Sequence, residues 1–153
     1  TSLDQFVEPG VAPYSMTWRS EVFNASGDVE YHTTSHNELD DFYSDAVTIR
    51  DVTGIRTTNT MVGNVICFYG RASNVRTCNH EVEAVDVNVV VDGTPVGDQA
   101  RASNDSAIGG DSGGGWSVGN TAWGVQSSHD DNDNSYFTPV QQAQTALGVT
   151  IKQ

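Results

Sequence analysis

The chain has 153 residues, long enough to bury a hydrophobic core and short enough to favour one domain or two tightly packed halves. Seven Lys and Arg against twenty Asp and Glu give 7 − 20 = −13, spread along the chain, so no basic patch is available for phosphate and nucleic acid is a poor partner. No apolar run approaches the ~18–20 residues of a membrane span, and Thr1-Ser2-Leu3-Asp4-Gln5 lacks the basic-then-apolar order of a signal peptide, so the expectation is a soluble chain, processed if exported, with no membrane partner.

From the start, residues 1–14 carry Phe6, Val7, Val11 and Tyr14 among Pro9, Gly10 and Pro13, which is poor material for a central strand. Strand signals follow at Ala46-Val47-Thr48-Ile49, residues 62–69, residues 83–91 and residues 121–126, separated by Gly, Asn, Asp and Ser clusters. The pattern is all-β. Cys67 and Cys78 enclose ten residues, a spacing that a hairpin closes into a disulfide and that two buried free thiols would also fit. Residues 83–91 alternate with period two, placing Val85, Val87, Val89 and Val91 on one face, and Asp92-Gly93 then turns the chain back as a hairpin. Residues 129–134 form an acidic loop without the glycine and distal glutamate of an EF-hand, so it reads as solvated charge and no metal or cofactor is expected. Helix is confined to the end, with Pro139 in the first turn, Val140 to Leu147 as the body and Gly148 as the stop.

Short, evenly spaced strands fit a sandwich or a barrel equally well, so chemistry has to decide. Gly110-Asp111-Ser112-Gly113-Gly114 is the most informative stretch. Glycines on both sides of a serine permit a tight backbone that exposes the hydroxyl and aims N–H groups at one point, although glycine-rich turns with serine also occur as ordinary surface loops.

In company with its neighbours, that loop resembles the streptogrisin and α-lytic-protease branch of the chymotrypsin-like serine peptidases, which are bacterial and secreted. The likeness runs from about Val22 to the end. Val22-Phe23-Asn24-Ala25-Ser26-Gly27-Asp28 is similar to the strand and turn that deliver the triad aspartate, and Val62-Gly63-Asn64-Val65-Ile66-Cys67 with Gly70-Arg71 and Thr77-Cys78 to a disulfide-closed hairpin. Trp116 and Ala122-Trp123-Gly124-Val125-Gln126-Ser127 are similar to strands around the nucleophile, and Tyr136-Phe137-Thr138-Pro139-Val140 to the lead into a terminal helix. The resemblance implies an all-β, chymotrypsin-like double β-barrel with a short C-terminal helix, residues 1–58 being the remainder of an incomplete N-terminal barrel and residues 59–153 the C-terminal barrel and helix. It implies Ser112 as nucleophile, the N–H groups of Gly110 and Ser112 as oxyanion hole, Asp28 as orienting acid and Ser127, Ser128 and His129 as the substrate-binding strand. Asp45, in Ser44-Asp45-Ala46-Val47, is a second candidate acid, but it falls too close to Val62-Gly63 for the family's spacing.

One part has no counterpart. The family's Thr-Ala-(Ala/Gly)-His-Cys segment is not matched around His32, His36, His80 or His129. A seryl hydroxyl is a weak nucleophile without a base, so this chain alone is expected to turn over little, its histidine lying on a segment upstream of Thr1. A first barrel without those strands exposes unpaired edges, which an N-terminal fragment or a second copy would cover. Side chains at Ser128 and His129, where relatives carry glycine, are expected to narrow the primary pocket. The expected function is a secreted serine endopeptidase acting on peptides or proteins. The alternatives are an inactive binding or assembly module on the same fold, and an all-β carbohydrate-binding domain using Trp18, Trp116 and Trp123.

Overall fold

The computed structural model describes residues 12–37 and 39–153 and the backbone of Gln5–Phe6; the expectation for residues 1–14 lies largely outside the described residues. Among the described residues, thirteen strands and one α-helix follow in chain order. The strands are β1 (Gln5–Phe6), β2 (Tyr14–Ser15), β3 (Thr17–Asn24), β4 (Gly27–Thr33), β5 (Asp41–Tyr43), β6 (Ile49–Asp51), β7 (Gly54–Ile55), β8 (Val65–Tyr69), β9 (Arg76–Val91), β10 (Thr94–Ser103), β11 (Gly115–Val118), β12 (Thr121–His129) and β13 (Asn134–Pro139), with α1 (Val140–Leu147) last. A 3-10 turn, Thr58–Thr60, separates β7 from β8.

The second half closes on itself. Strands pair in the order β11-β8-β9-β10-β13-β12, and β12 pairs back onto β11, giving a six-stranded antiparallel ring to which β7 adds in parallel along β12. Such closure removes exposed sheet edges. Its interior is filled by Met61, Ile66, Phe68, Val82, Ala100, Ala102, Trp116, Trp123 and Phe137. Trp116 is the hub, with the rings of Phe68 and Phe137 each 4.9 Å away by centroid and its indole N–H donating to Gln126 Oε1 at 2.8 Å. Burying Trp116 and Trp123 in this core leaves only Trp18 exposed among the tryptophans, which removes the aromatic platform a sugar-binding surface would need.

The expected hairpins and helix form where their residues place them. Asp92 and Gly93 both take positive φ, 49° and 81°, the requirement of a tight turn matched to strand twist, and Thr94 pairs with Val91 across it. The expected alternation holds from Val85 to Val91, with Val85, Val87, Val89 and Val91 half-buried and Asp86, Asn88 and Val90 exposed; it slips at Ala84, where a register shift against β10 accompanies the positive φ of Asp86, 54°. Strand β8 begins at Val65, later than the apolar run predicts, because residues 61–64 form a turn in which the Asn64 N–H bonds the Met61 carbonyl and Gly63 takes a φ of 80°. Only Ile49 of the Ala46-Val47-Thr48-Ile49 run is in a strand. Asp45 Oδ1 instead accepts the N–H groups of Val47 and Thr48, folding the preceding residues into a turn. Helix α1 ends at Gly148 in the left-handed region, as glycine there permits.

The first half is different. It consists of three two-stranded ribbons, β1–β2, β3–β4 and β5–β6, with no pairing between them among the described residues. It is an incomplete barrel. The β3–β4 ribbon docks onto the closed barrel through its turn: a Cβ on Gly97 would lie 2.3 Å from the carbonyl oxygen of Ala25, so only glycine lets that turn approach. The β5–β6 ribbon is tied by Arg76, which donates to the carbonyl of Ser44 at 2.6 Å and to Ser117 Oγ at 3.4 Å.

Candidate active site

Asp111 sets the shape of the glycine-rich loop. Its carboxylate is buried and accepts three backbone N–H bonds: Ala72 and Ser73 on Oδ1 at 2.8 and 2.9 Å, and Ile108 on Oδ2 at 3.0 Å. Burial alone would raise its pKa, but the donors from Ser73, Ile108 and Ala72 outweigh burial and hold it below the ordinary 3.8. Gly70 makes room for it, since a Cβ there would sit 2.2 Å from the carboxyl carbon. Around this anchor the N–H groups of Asp111, Gly113 and Gly114 bond the carbonyls of Ile108, Gln126 and Asp111. Among the described residues those of Gly110 and Ser112 have no acceptor, and Gly110 holds φ at 98°. Two unspent donors thus flank an exposed serine hydroxyl.

The hydroxyl of Ser112 donates to the carbonyl of Ser127 at 3.2 Å, and Ser127 Oγ donates to Asp28 Oδ2 at 2.7 Å. These two bonds, to the carbonyl and from the hydroxyl of Ser127, bring together residues from β4, the 110–114 loop and β12. Asp28 is further fixed through Thr138, whose buried hydroxyl accepts the Asp28 N–H and donates to the Asp28 carbonyl, both at 3.1 Å, while accepting Gln99 Nε2 at 2.8 Å. Burial raises the pKa of Asp28, the Ser127 hydroxyl opposes the rise, and Glu30 and Glu21 add to it. Asp45, the second candidate acid, lies half-exposed in its turn, and its pKa is lowered by the N–H of Val47 and the bonds from Thr48.

The four histidines stand elsewhere, and none hydrogen-bonds Ser112 or Asp28. His32 Nε2 lies 3.4 Å from Glu30 Oε1, and the ring of His36 stacks on Tyr14 with centroids 4.0 Å apart. His80 is fully buried in the second barrel, edge-on to Trp116, with Nε2 2.6 Å from Thr77 Oγ1 and Nδ1 3.1 Å from the Ser103 carbonyl. Burial holds its pKa below the ordinary 6.5 despite the bonds to Ser103 and Asn104, as expected of a core histidine. His129 Nδ1 lies 2.9 Å from Asp105 Oδ2, a partner to which no local sequence signal points. Ser128 Oγ is buried without a partner among the described residues, and Ser127 and Gln126 are buried beside it. Cys67 and Cys78 form the disulfide across β8–β9, with Cα atoms 4.0 Å apart. A groove of about 830 Å³ between the 3-10 turn and α1, lined by Ser26, Asp86, Asp98 and Gln141 among others, contains none of these residues, so functional groups rather than volume locate the site.

No family model matches the sequence, and no curated protein sequence does. Solved structures do. A chymotrypsin of Cellulomonas bogoriensis superposes with a TM-score of 0.76 at 24% identity, over 90% of this chain and 76% of that one. The protease of Nocardiopsis does so at 0.75 and 20% identity, over 94% and 76%. A serine protease specific for glutamic acid, described as using a histidine triad in substrate binding, matches at 0.71 and 22% identity, over 97% and 90%. This chain has the fold of the bacterial chymotrypsin-like serine proteases. At such identities the likeness establishes the fold and leaves the chemistry to the residues.

Proposed function

We propose that the chain is the greater part of a secreted serine endopeptidase in which Ser112 attacks a peptide carbonyl. The observation that carries this reading is that Ser112 and Asp28 both bond Ser127, through its carbonyl and its hydroxyl, beside the two unspent N–H groups of Gly110 and Ser112. In this reading Ser112 Oγ forms the bond to the carbonyl carbon, the oxyanion settles on those N–H groups, and a histidine takes the seryl proton and passes it to the leaving amine. That histidine is supplied by a segment outside this chain, and Asp28 holds its ring. Residues 1–58 are the remainder of the first barrel, which the histidine-bearing segment or a second copy completes. No step calls for a metal or cofactor, and the substrates are peptides or proteins.

A second reading, an inactive binding or assembly module, is favoured by one observation: none of the four histidines reaches Ser112 or Asp28. A fluorophosphonate probe separates the two. Intact mass should show a slow adduct that free imidazole, standing in for the histidine, accelerates, and that Ser112→Ala abolishes. A folded chain that gives no adduct with or without imidazole is a module, not a peptidase.

A further inference from the structure

The groove between the 3-10 turn and α1 holds about 830 Å³, the size of sites that take a small ligand, and neither Ser112 nor Asp28 lines it. It crosses the joint between the two halves of the chain. Ser26 comes from the β3–β4 turn, Asp86 from β9, Asp98 from β10, and Gln141 and Gln142 from the first turn of α1.

The strands supply acceptors. Val89 pairs with Val96 and Val87 with Gln99, so Gly97 and Asp98 together oppose Asn88; Ala84 pairs with Arg101, so Val85 and Asp86 together oppose Ala100. Each strand thus bulges once, and each bulge holds an aspartate in the left-handed region, Asp98 at a φ of 52° and Asp86 at 54°. Both side chains leave the ladder and line the groove. Neither carboxylate has a hydrogen-bond or ion-pair partner among the described residues, and the lining contains no Lys, Arg or His.

The helix supplies donors. Buried Thr58 donates its N–H to Gln141 Oε1 at 2.9 Å, and its hydroxyl lies 3.2 Å from that oxygen and 2.5 Å from Gln142 Oε1. With both carboxamide oxygens engaged, Gln141 and Gln142 have their NH₂ groups left, and neither group has an acceptor among the described residues. An anion would meet two carboxylates, and an apolar ligand would leave polar groups on both sides unpaired. What fits is a ligand with a cation for Asp86 and Asp98 and carbonyl oxygens for the glutamine amides, which describes a peptide segment with a basic side chain.

We infer that this groove is a docking site for a basic peptide segment, its arginine or lysine side chain set against Asp86 and Asp98 and its backbone carbonyls against Gln141 and Gln142. The site stands apart from Ser112 and Asp28, so the inference goes beyond the peptidase reading and does not depend on it.

The probes are an acetylated pentapeptide amide with one central arginine among alanines and the same peptide with citrulline, which keeps the shape of arginine without its charge. Each is titrated into isotopically labelled chain, as Ser112→Ala so that no probe is cleaved, in about 0.15 M salt to screen the net charge of −13. The arginine peptide should bind at least ~tenfold more tightly and shift the signals of Ser26, Asn59 and the Gln141 side-chain amide. Asp86→Asn and Asp98→Asn should each weaken that binding by about threefold, and asparagine tolerates the left-handed backbone, so the fold should survive. Asp92→Asn is the control, because Asp92 has the same conformation on the same hairpin, at a φ of 49°, but lies outside the groove; it should leave the affinity unchanged. Should either groove variant lose its fold, the arginine-to-citrulline ratio and the shift map of the parent chain decide. Equal binding of the citrulline peptide, groove variants that bind like the parent, an equal loss in Asp92→Asn, shifts confined to residues outside the groove, or no binding to folded chain overturns the inference.

Discussion

Replacing Asp111 by alanine should destabilise the fold far more than the loss of a surface charge. The side chain is 1% exposed and accepts three backbone N–H groups, from Ala72, Ser73 and Ile108. A fully buried donor left without an acceptor costs about 1–3 kcal/mol, but these bonds are part-buried and Ala72 and Ile108 are exposed, so water can reach the orphaned donors and the loss should total about 1–3 kcal/mol. Asp111→Asn should fall between, because its carboxamide oxygen can keep the two bonds on Oδ1 while its NH₂ faces the Ile108 N–H, donor against donor. The pH dependence has a definite sign. A carboxyl held below its ordinary 3.8 in the folded chain contributes stability that is fully present above that value and is lost as pH falls toward the depressed one. Urea unfolding followed by tryptophan fluorescence at pH 7 and pH 3 measures both effects. A loss below about 1 kcal/mol for Asp111→Ala at pH 7, or an acid limb unchanged in Asp111→Asn, would show that the carboxylate does not organise the loop.

Three other perturbations probe the frame around it. Gly124→Ala places a Cβ 2.2 Å from Phe137 Cδ2 in the barrel core, so thermal unfolding should reveal a loss of about 1–3 kcal/mol, and a neutral result would mean β12 and β13 can separate without penalty. Replacing both Cys67 and Cys78 by alanine opens a loop of sequence separation 11, and denaturant midpoints should fall by the equivalent of about 3 kcal/mol. Asp28→Asn should leave stability at pH 7 unchanged or higher. Burial raises the Asp28 pKa, so ionised Asp28 costs the folded state stability once pH rises above its ordinary 3.8, whereas an amide keeps the Ser127 bond without the charge; a clear fall in stability at pH 7 would contradict that reasoning.

Much of the second barrel was legible because its determinants are local. Asp92-Gly93 fixes a hairpin by backbone preference alone, Gly148 ends a helix for the same reason, and ten residues between two cysteines are enough for a hairpin bridge. The glycine-rich loop was legible as a motif, but most of its support was not: two of the three donors to Asp111 lie 38 and 39 positions upstream and Gly70 accommodates it, which no window around the motif reveals. The Asp105–His129 pair spans 24 positions and joins a loop to a strand end, so neither partner signals the other in sequence. Asp45 illustrates the converse failure. An acid before a β-branched run looks like the start of a strand, yet its side chain captures the N–H groups of Val47 and Thr48 and makes a turn instead.

The two halves of the site rest on unequal foundations. Ser112 belongs to a closed barrel whose strands are all paired and whose loop is bonded internally through Asp111 and to β12 through Gly113 and Gln126. Asp28 belongs to a two-stranded ribbon, and an isolated ribbon is marginal in water. It packs against α1 and β10, and its close ties to the barrel are the Ala25 turn against Gly97, the paired bonds with Thr138, and the Ser127 hydroxyl. Every one of these lies at the β4 N-terminus, around Asp28 itself, whereas Trp18 is exposed on the far part of the ribbon and β3 and β4 have no further strand partner among the described residues. Asp28 is therefore held in register with Ser112, as the proposed peptidase requires. The remainder of the ribbon presents unpaired backbone edges, the surface on which an incoming strand can add. A histidine delivered on such a strand would arrive beside an acid and a hydroxyl already fixed relative to each other.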